Sequence, residues 1–132
     1  VAERRAARRR PAADLADFLS VARQSFVQMQ AAWDRADLGA LGLLTTGPLL
    51  AELRVQLDDR GQESNRTEVL SLDARLLGLE EMQEAFVASV EFSGLIRESG
   101  QQAPAPFREL WLLANVKASG RGWKLARVQS LS

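Results

Sequence analysis

Three sets of residues in this chain could do chemistry, and they point to different kinds. Glu109 and Arg97 sit within strand-like patterns. A carboxylate that faces the interior with its pKa raised by burial is a candidate general base, and a guanidinium across the sheet would pair with it. Arg4, Arg5, Arg8, Arg9 and Arg10 form a basic cluster ahead of the first apolar periodicity. Near an anionic lipid leaflet each of them would contribute about 1 kcal/mol, and the alternative is a solvated leader. Phe26, Trp33, Phe92, Trp111 and Trp123 recur at helical or strand spacing. Such residues line an apolar pocket or pack as core, and core is the favoured outcome.

What is absent narrows the chemistry further. The sequence has no His, Cys or Tyr, so it cannot build an imidazole or thiolate metal site, a Ser-His pair or a tyrosine oxyanion donor. Glu109 has no such partner, and Asp73 and Glu91 fall on outward-facing alternates of their strands. We therefore expect no catalytic residues, no metal and no cofactor, and read the chain as a binding protein and not an enzyme. A cysteine-free domain is tolerated in reducing and oxidising compartments alike.

Charge is zero overall, with 17 basic and 17 acidic residues, but unevenly spread. The five leader arginines against Glu3 make residues 1–13 +4, which leaves 12 basic and 16 acidic residues, or −4, for the rest. A mildly acidic body whose aromatics do not interleave with its basic residues argues against nucleic acid as a partner. With 132 residues, 46% hydrophobic and 26% charged, there is room for one domain with a single core. Residues 1–13 read as a basic leader or linker and 14–132 as the domain. The opening at Val1 leads us to expect an upstream segment.

The elements that must position these side chains follow from periodicity. Leu15, Phe18, Leu19, Ala22, Phe26, Met29, Ala32 and Trp33 form one apolar stripe of a helix over about Ala12 to Asp37, with Pro11 suited to its first turn. A short helical turn is expected around Leu38 to Leu44. Thr45-Thr46-Gly47-Pro48 then supplies a stop and a restart. Leu49, Leu50, Leu53 and Leu57 give the next helix its inner face, and Gly61 ends it. Beyond the polar loop 61–66 the period changes to two. Leu70, Leu72, Ala74 and Leu76 predict the inner face of a first strand, and Phe86, Ala88, Val90 and Phe92 that of a second, with Gly94 marking a bulge or bend. Strands over about 107–117 and 123–131, joined by a turn at 119–122, complete an antiparallel meander, because such short connections leave no room for a parallel crossover. Helices first and strands after predict an α+β fold, with N-terminal helices packed on a curved four-stranded antiparallel sheet.

Phe18-x-x-x-Ala22-x-x-x-Phe26-x-x-x-Gln30-x-x-Trp33-x-x-x-Asp37-Leu38, Leu44-Thr45, Phe92-x-Gly94-x-x-Arg97-Glu98, Glu109-x-Trp111 and Trp123-x-Leu125-Ala126-x-Val128-Gln129 together resemble the Tim44-like family over about residues 14–130. That family includes the mitochondrial inner-membrane import-motor anchor, a mitochondrial large-subunit ribosomal protein and bacterial membrane proteins. The resemblance implies a cone-shaped fold similar to nuclear transport factor two and a non-enzymatic, membrane-associated binding module linked to protein translocation. The implied partners are an anionic membrane surface and a protein. The implied location is a bacterial inner membrane, reached through a segment upstream of Val1, and 15 Arg against 2 Lys fit a GC-rich bacterial genome. The competing expectation is a small-molecule-binding or catalytic cone that uses an apolar pocket with Glu109 and Arg97. Partner identity and oligomeric state are left open.

Overall fold

A computed structural model of the chain describes residues 11–61, 66–100 and 102–131. Three helices, α1 (Pro11–Asp34), α2 (Leu38–Leu44) and α3 (Gly47–Arg60), precede four strands, β1 (Thr67–Glu81), β2 (Ala85–Glu98), β3 (Ala105–Val116) and β4 (Trp123–Ser130). The strands form one antiparallel sheet in the order β1-β2-β3-β4. All three helices contribute to a core built on one side of that sheet, which is the expected α+β architecture.

In α1 the positions Ala22, Phe26, Met29 and Ala32 are buried, the i, i+4, i+7, i+10 spacing that keeps one face of a helix toward its support. Leu15, at the start of the expected stripe, is instead exposed. The helix stops at Asp34, short of the expected Asp37. Ala36 takes a left-handed conformation (φ 55°). The Ala36 N–H donates to the Trp33 carbonyl and the Asp37 N–H to the Ala32 carbonyl, the paired bonds of a Schellman ending. Asp37 is thereby released to cap α2, where its Oδ1 accepts from the Ala40 N–H at 3.0 Å.

Thr45 and Thr46 stitch the helices to the far edge of the sheet. Thr45 is buried and its Oγ1 donates to the Leu41 carbonyl at 2.8 Å, while the Thr46 N–H donates to the Leu125 carbonyl of β4. From there Leu49 and Leu57 of α3 are buried, with Leu50 and Leu53 packed against the same core.

The inner face of the sheet presents Ala88, Val90 and Phe92 from β2, Trp111 and Leu113 from β3 and Leu125 from β4, all buried. On β1 the pairing shifts between Val69 and Ser71 and again between Leu76 and Gly78. One extra residue reverses the in/out alternation, so Leu70, expected on the inner face, points away and is 43% exposed, and Val69 packs on the core in its place. Phe86 lies only partly buried at the end of its strand, under the Lys117 ammonium at 4.8 Å from the ring centre. Strand β3 begins at Ala105, inside the expected loop, and Pro106 pairs with Leu95.

Candidate functional site

On the core side of the sheet, α1, α3 and the β3–β4 pair enclose a cleft of about 570 Å³ that holds carboxylates. Met29 and Trp33 of α1, Leu49 and Leu53 of α3, and Trp111 and Val128 of the sheet supply its apolar walls. Each arrives by simple periodicity: 29 and 33 are one helical turn apart, as are 49 and 53, and Val128 is the cross-strand partner of Trp111. Glu109, two residues from Trp111 on the same strand face, sets the polar character together with Glu52 and Gln56 of α3.

Glu109 is tied down within the cleft. Its Oε1 accepts a hydrogen bond from the Trp111 indole Nε1 at 2.9 Å, which satisfies the donor of a side chain only 2% exposed. Arg97 is not its partner, in contrast to the sequence-based expectation. The residue of β2 opposite Glu109 is Phe92, and Arg97 lies five residues further along, roughly 16 Å at strand rise. There it pairs with Glu68 of β1 at 3.4 Å. Register, which bulges and turns set, separates the two charges; the sequence pattern alone had left them free to meet.

The five aromatic candidates divide between roles. Phe26 and Phe92 are fully enclosed and take no part in the cleft. Phe26 is the hub of the core, with ring centres 4.9 Å from Phe92, 5.1 Å from Trp111 and 5.3 Å from Phe107. Trp111 is at once core and cleft floor, and Trp33 is cleft wall. The Arg60 guanidinium lies 5.2 Å from the Trp33 ring centre and its Nη1 donates to the Trp33 carbonyl at 2.9 Å. Trp123 belongs elsewhere, edge-on to Phe18 at 5.2 Å, in a second hollow of about 360 Å³ near the start of α1 with Leu15, Leu76 and Leu79. Arg4, Arg5, Arg8, Arg9 and Arg10 lie outside the described residues.

Phe107, Glu52 and Gln56 were missed by the sequence reading. Phe107 continues the Glu109, Trp111, Leu113 alternation two residues earlier, so period two carried the signal. Glu52 and Gln56, one helical turn apart beside Leu49 and Leu53, mark the polar boundary of α3 next to its apolar stripe.

Of the two carboxylates in the cleft, Glu109 is the one held by an indole N–H, and among the described residues no group of three or more His, Cys, Asp or Glu is placed to hold a metal ion. No helix among the described residues is long and apolar enough to cross a membrane.

Comparison with known proteins adds three findings. The intermembrane space region of the chloroplast protein ARC6 superposes with a TM-score of 0.57 at 12% identity, over 86% of this chain and 96% of that one. A nuclear transport factor 2-like superfamily protein from Salmonella enterica serovar Typhimurium gives 0.47 at 10% identity over 88% and 91%. A ketosteroid isomerase-like protein from Erwinia carotovora atroseptica gives 0.43 at 18% over 86% and 96%. None of the curated proteins matches the sequence. The sequence model of the Tim44-like domain matches residues 1–130.

Proposed function

The chain belongs to the Tim44-like domain family, and from that membership we propose that it is a non-enzymatic binding module that works at a membrane. The family match over residues 1–130 carries this reading, since the family is membrane-associated and generally without enzymatic chemistry. The cleft supports it, with its apolar walls and with Glu109, one of its two carboxylates, engaged by Trp111.

The mechanism has two contacts. The Arg4, Arg5, Arg8, Arg9 and Arg10 cluster, or a segment upstream of it, holds the domain against an anionic leaflet, which supplies a few kcal/mol at about 1 kcal/mol per arginine. That is enough to dock a tethered domain. Tethering raises the local concentration at which the cleft meets a protein segment. In the finer form of this proposal the membrane is a bacterial inner membrane and the partner belongs to protein translocation.

Co-sedimentation with anionic and neutral liposomes at low and high salt tests it, comparing the native chain with one in which all five arginines are Gln. Binding that needs anionic lipid and the arginines, and weakens with salt, is the expected result. No binding to any vesicle removes the lipid contact.

A second reading rests on the cleft volume, which lies within the roughly 300–1,000 Å³ of small-molecule sites. The domain would then be a ligand-binding cone with Glu109 as the polar anchor. Against it stands the filled interior beneath the cleft, where Phe26, Phe92 and Trp111 close the space.

A further inference from the structure

The helices cover one face of the sheet and leave the other open, and the charges on that open face are arranged in halves. Cross-strand register sorts its residues into rows. One row runs Asp73, Ser93, Arg108 and the next Arg75, Glu91, Leu110. The two that follow centre on Ser89 and Leu112, flanked by Gly78 and Arg127, and on Val87 and Ala114, beside Glu80. The middle of the face is therefore a half-buried apolar band from Val87, Leu110, Leu112 and Ala114. Acidic groups lie on the β1–β2 side, where Asp73, Arg75, Glu91 and Ser93 line a recess of about 350 Å³. The β3–β4 side carries Arg108 and Arg127, both exposed. Among the described residues, neither of these arginines, nor Asp73 or Glu80, is in an ion pair.

We propose that this open face is the interface of a homodimer, in which Arg108 of each copy enters the Asp73–Glu91 recess of the other. A two-fold axis that lies between the facing sheets, along the strands and midway between β2 and β3, puts the β2 position of one copy over the β3 position of its partner in every row. Ser93 then lies under the partner's Arg108, Ser89 under the partner's Leu112 and Val87 under the partner's Ala114. The same operation brings the acidic half of each sheet over the basic half of the other, twice per dimer, as an isologous contact requires. Arg127 falls over Gly78, where a Cβ would have nothing within 4 Å, so the arginine has room to turn toward Glu80. Four strands about 4.8 Å apart and about 3.4 Å per residue along the stretch of β3 from Arg108 to Ala114 that carries these rows outline roughly 450 Å², a little over half of the about 800 Å² per partner of a standard interface, the size of a weak and reversible association. Packing of two twisted sheets at about −30° provides the geometry.

Sedimentation velocity of the 132-residue chain at rising concentration, at low and high salt, tests the proposal. The expected result is a monomer–dimer equilibrium that salt weakens. Arg108→Glu and Asp73→Arg should each weaken association about tenfold through like-charge contact, and the two together should recover most of it. Leu112→Asp should give a monomer with unchanged far-ultraviolet circular dichroism. If that variant fails to fold, the charge exchange at the exposed positions 73 and 108 still decides. A chain that stays monomeric at high micromolar concentration, which would leave the face to a different protein, overturns the proposal. So does a dimer indifferent to these substitutions, or one that the double exchange does not restore.

Discussion

Gly94 of β2 lies against the backbone of Ser71 in β1 so closely that a Cβ on it would stand 2.1 Å from the Ser71 carbonyl oxygen and 2.8 Å from the carbonyl carbon. Ser71 is the residue at which β1 resumes pairing after its first bulge, and its Oγ accepts from the Leu95 N–H at 3.1 Å. The absent side chain is thus what lets the bulged strand seat on its neighbour. Gly94→Ala must push two backbones apart and should cost about 3 kcal/mol by urea denaturation. Gly78→Ala, where a Cβ meets nothing within 4 Å, is the control and should change stability by less than about 1 kcal/mol. Equal effects at the two sites would disprove the close-approach explanation.

Ala36 offers a gain in stability. It holds the left-handed position that ends α1 (φ 55°), a conformation that costs a residue with a Cβ roughly 1 kcal/mol relative to Gly. Ala36→Gly should raise the thermal midpoint slightly, a stabilisation of up to about 0.5 kcal/mol after the greater entropy of glycine in the unfolded chain is subtracted. A lowered midpoint would show that the α1 ending is held in some other way.

Asp37 should make stability depend on pH. The Ala40 N–H bonded to its carboxylate, with a smaller contribution from the Arg35 guanidinium, holds its pKa below the usual aspartate value. A carboxyl with a depressed folded pKa binds protons more readily in the unfolded chain. Its contribution is therefore present above the unfolded pKa and is lost as pH falls through the folded one. Asn also caps a helix but does not titrate. The stability difference between wild type and Asp37→Asn, measured by denaturation at neutral and acidic pH, should shrink on acidification. A difference that stays constant with pH would refute the cap's electrostatic role.

Glu109 is expected to matter for packing and not for proton transfer. Glu109→Gln keeps an oxygen to accept from the Trp111 indole and should cost less than about 1 kcal/mol, whereas Glu109→Ala strands a buried N–H and should cost about 1–3 kcal/mol. Phe26→Ala, which removes the ring that touches Phe92, Phe107 and Trp111, should cost about 3–5 kcal/mol. Chemical denaturation of the three variants gives the order, and a Gln variant as unstable as the Ala variant would contradict it.

The sequence by itself determined the order of elements, the antiparallel meander and most of the inner face. Those features depend on local geometry: 3.6 residues per turn put Ala22, Phe26 and Met29 on one side of a helix, and the two-residue pleat did the same for Ala88, Val90 and Phe92. Punctuation was equally local, and the end of the short helix Leu38–Leu44, the start of α3 and the turn before Trp123 stand where Thr45, Pro48 and Gly120 imply. What only the tertiary structure decided is which distant residues share a place. Leu70 changed faces because one extra residue in β1 reversed the alternation. Arg97 found Glu68 and not Glu109 because register runs through the whole of β1 and β2. The cleft, the Glu109–Trp111 bond and the divided charges of the open sheet face arise the same way, from helix docking and strand register that no window of neighbouring residues encodes.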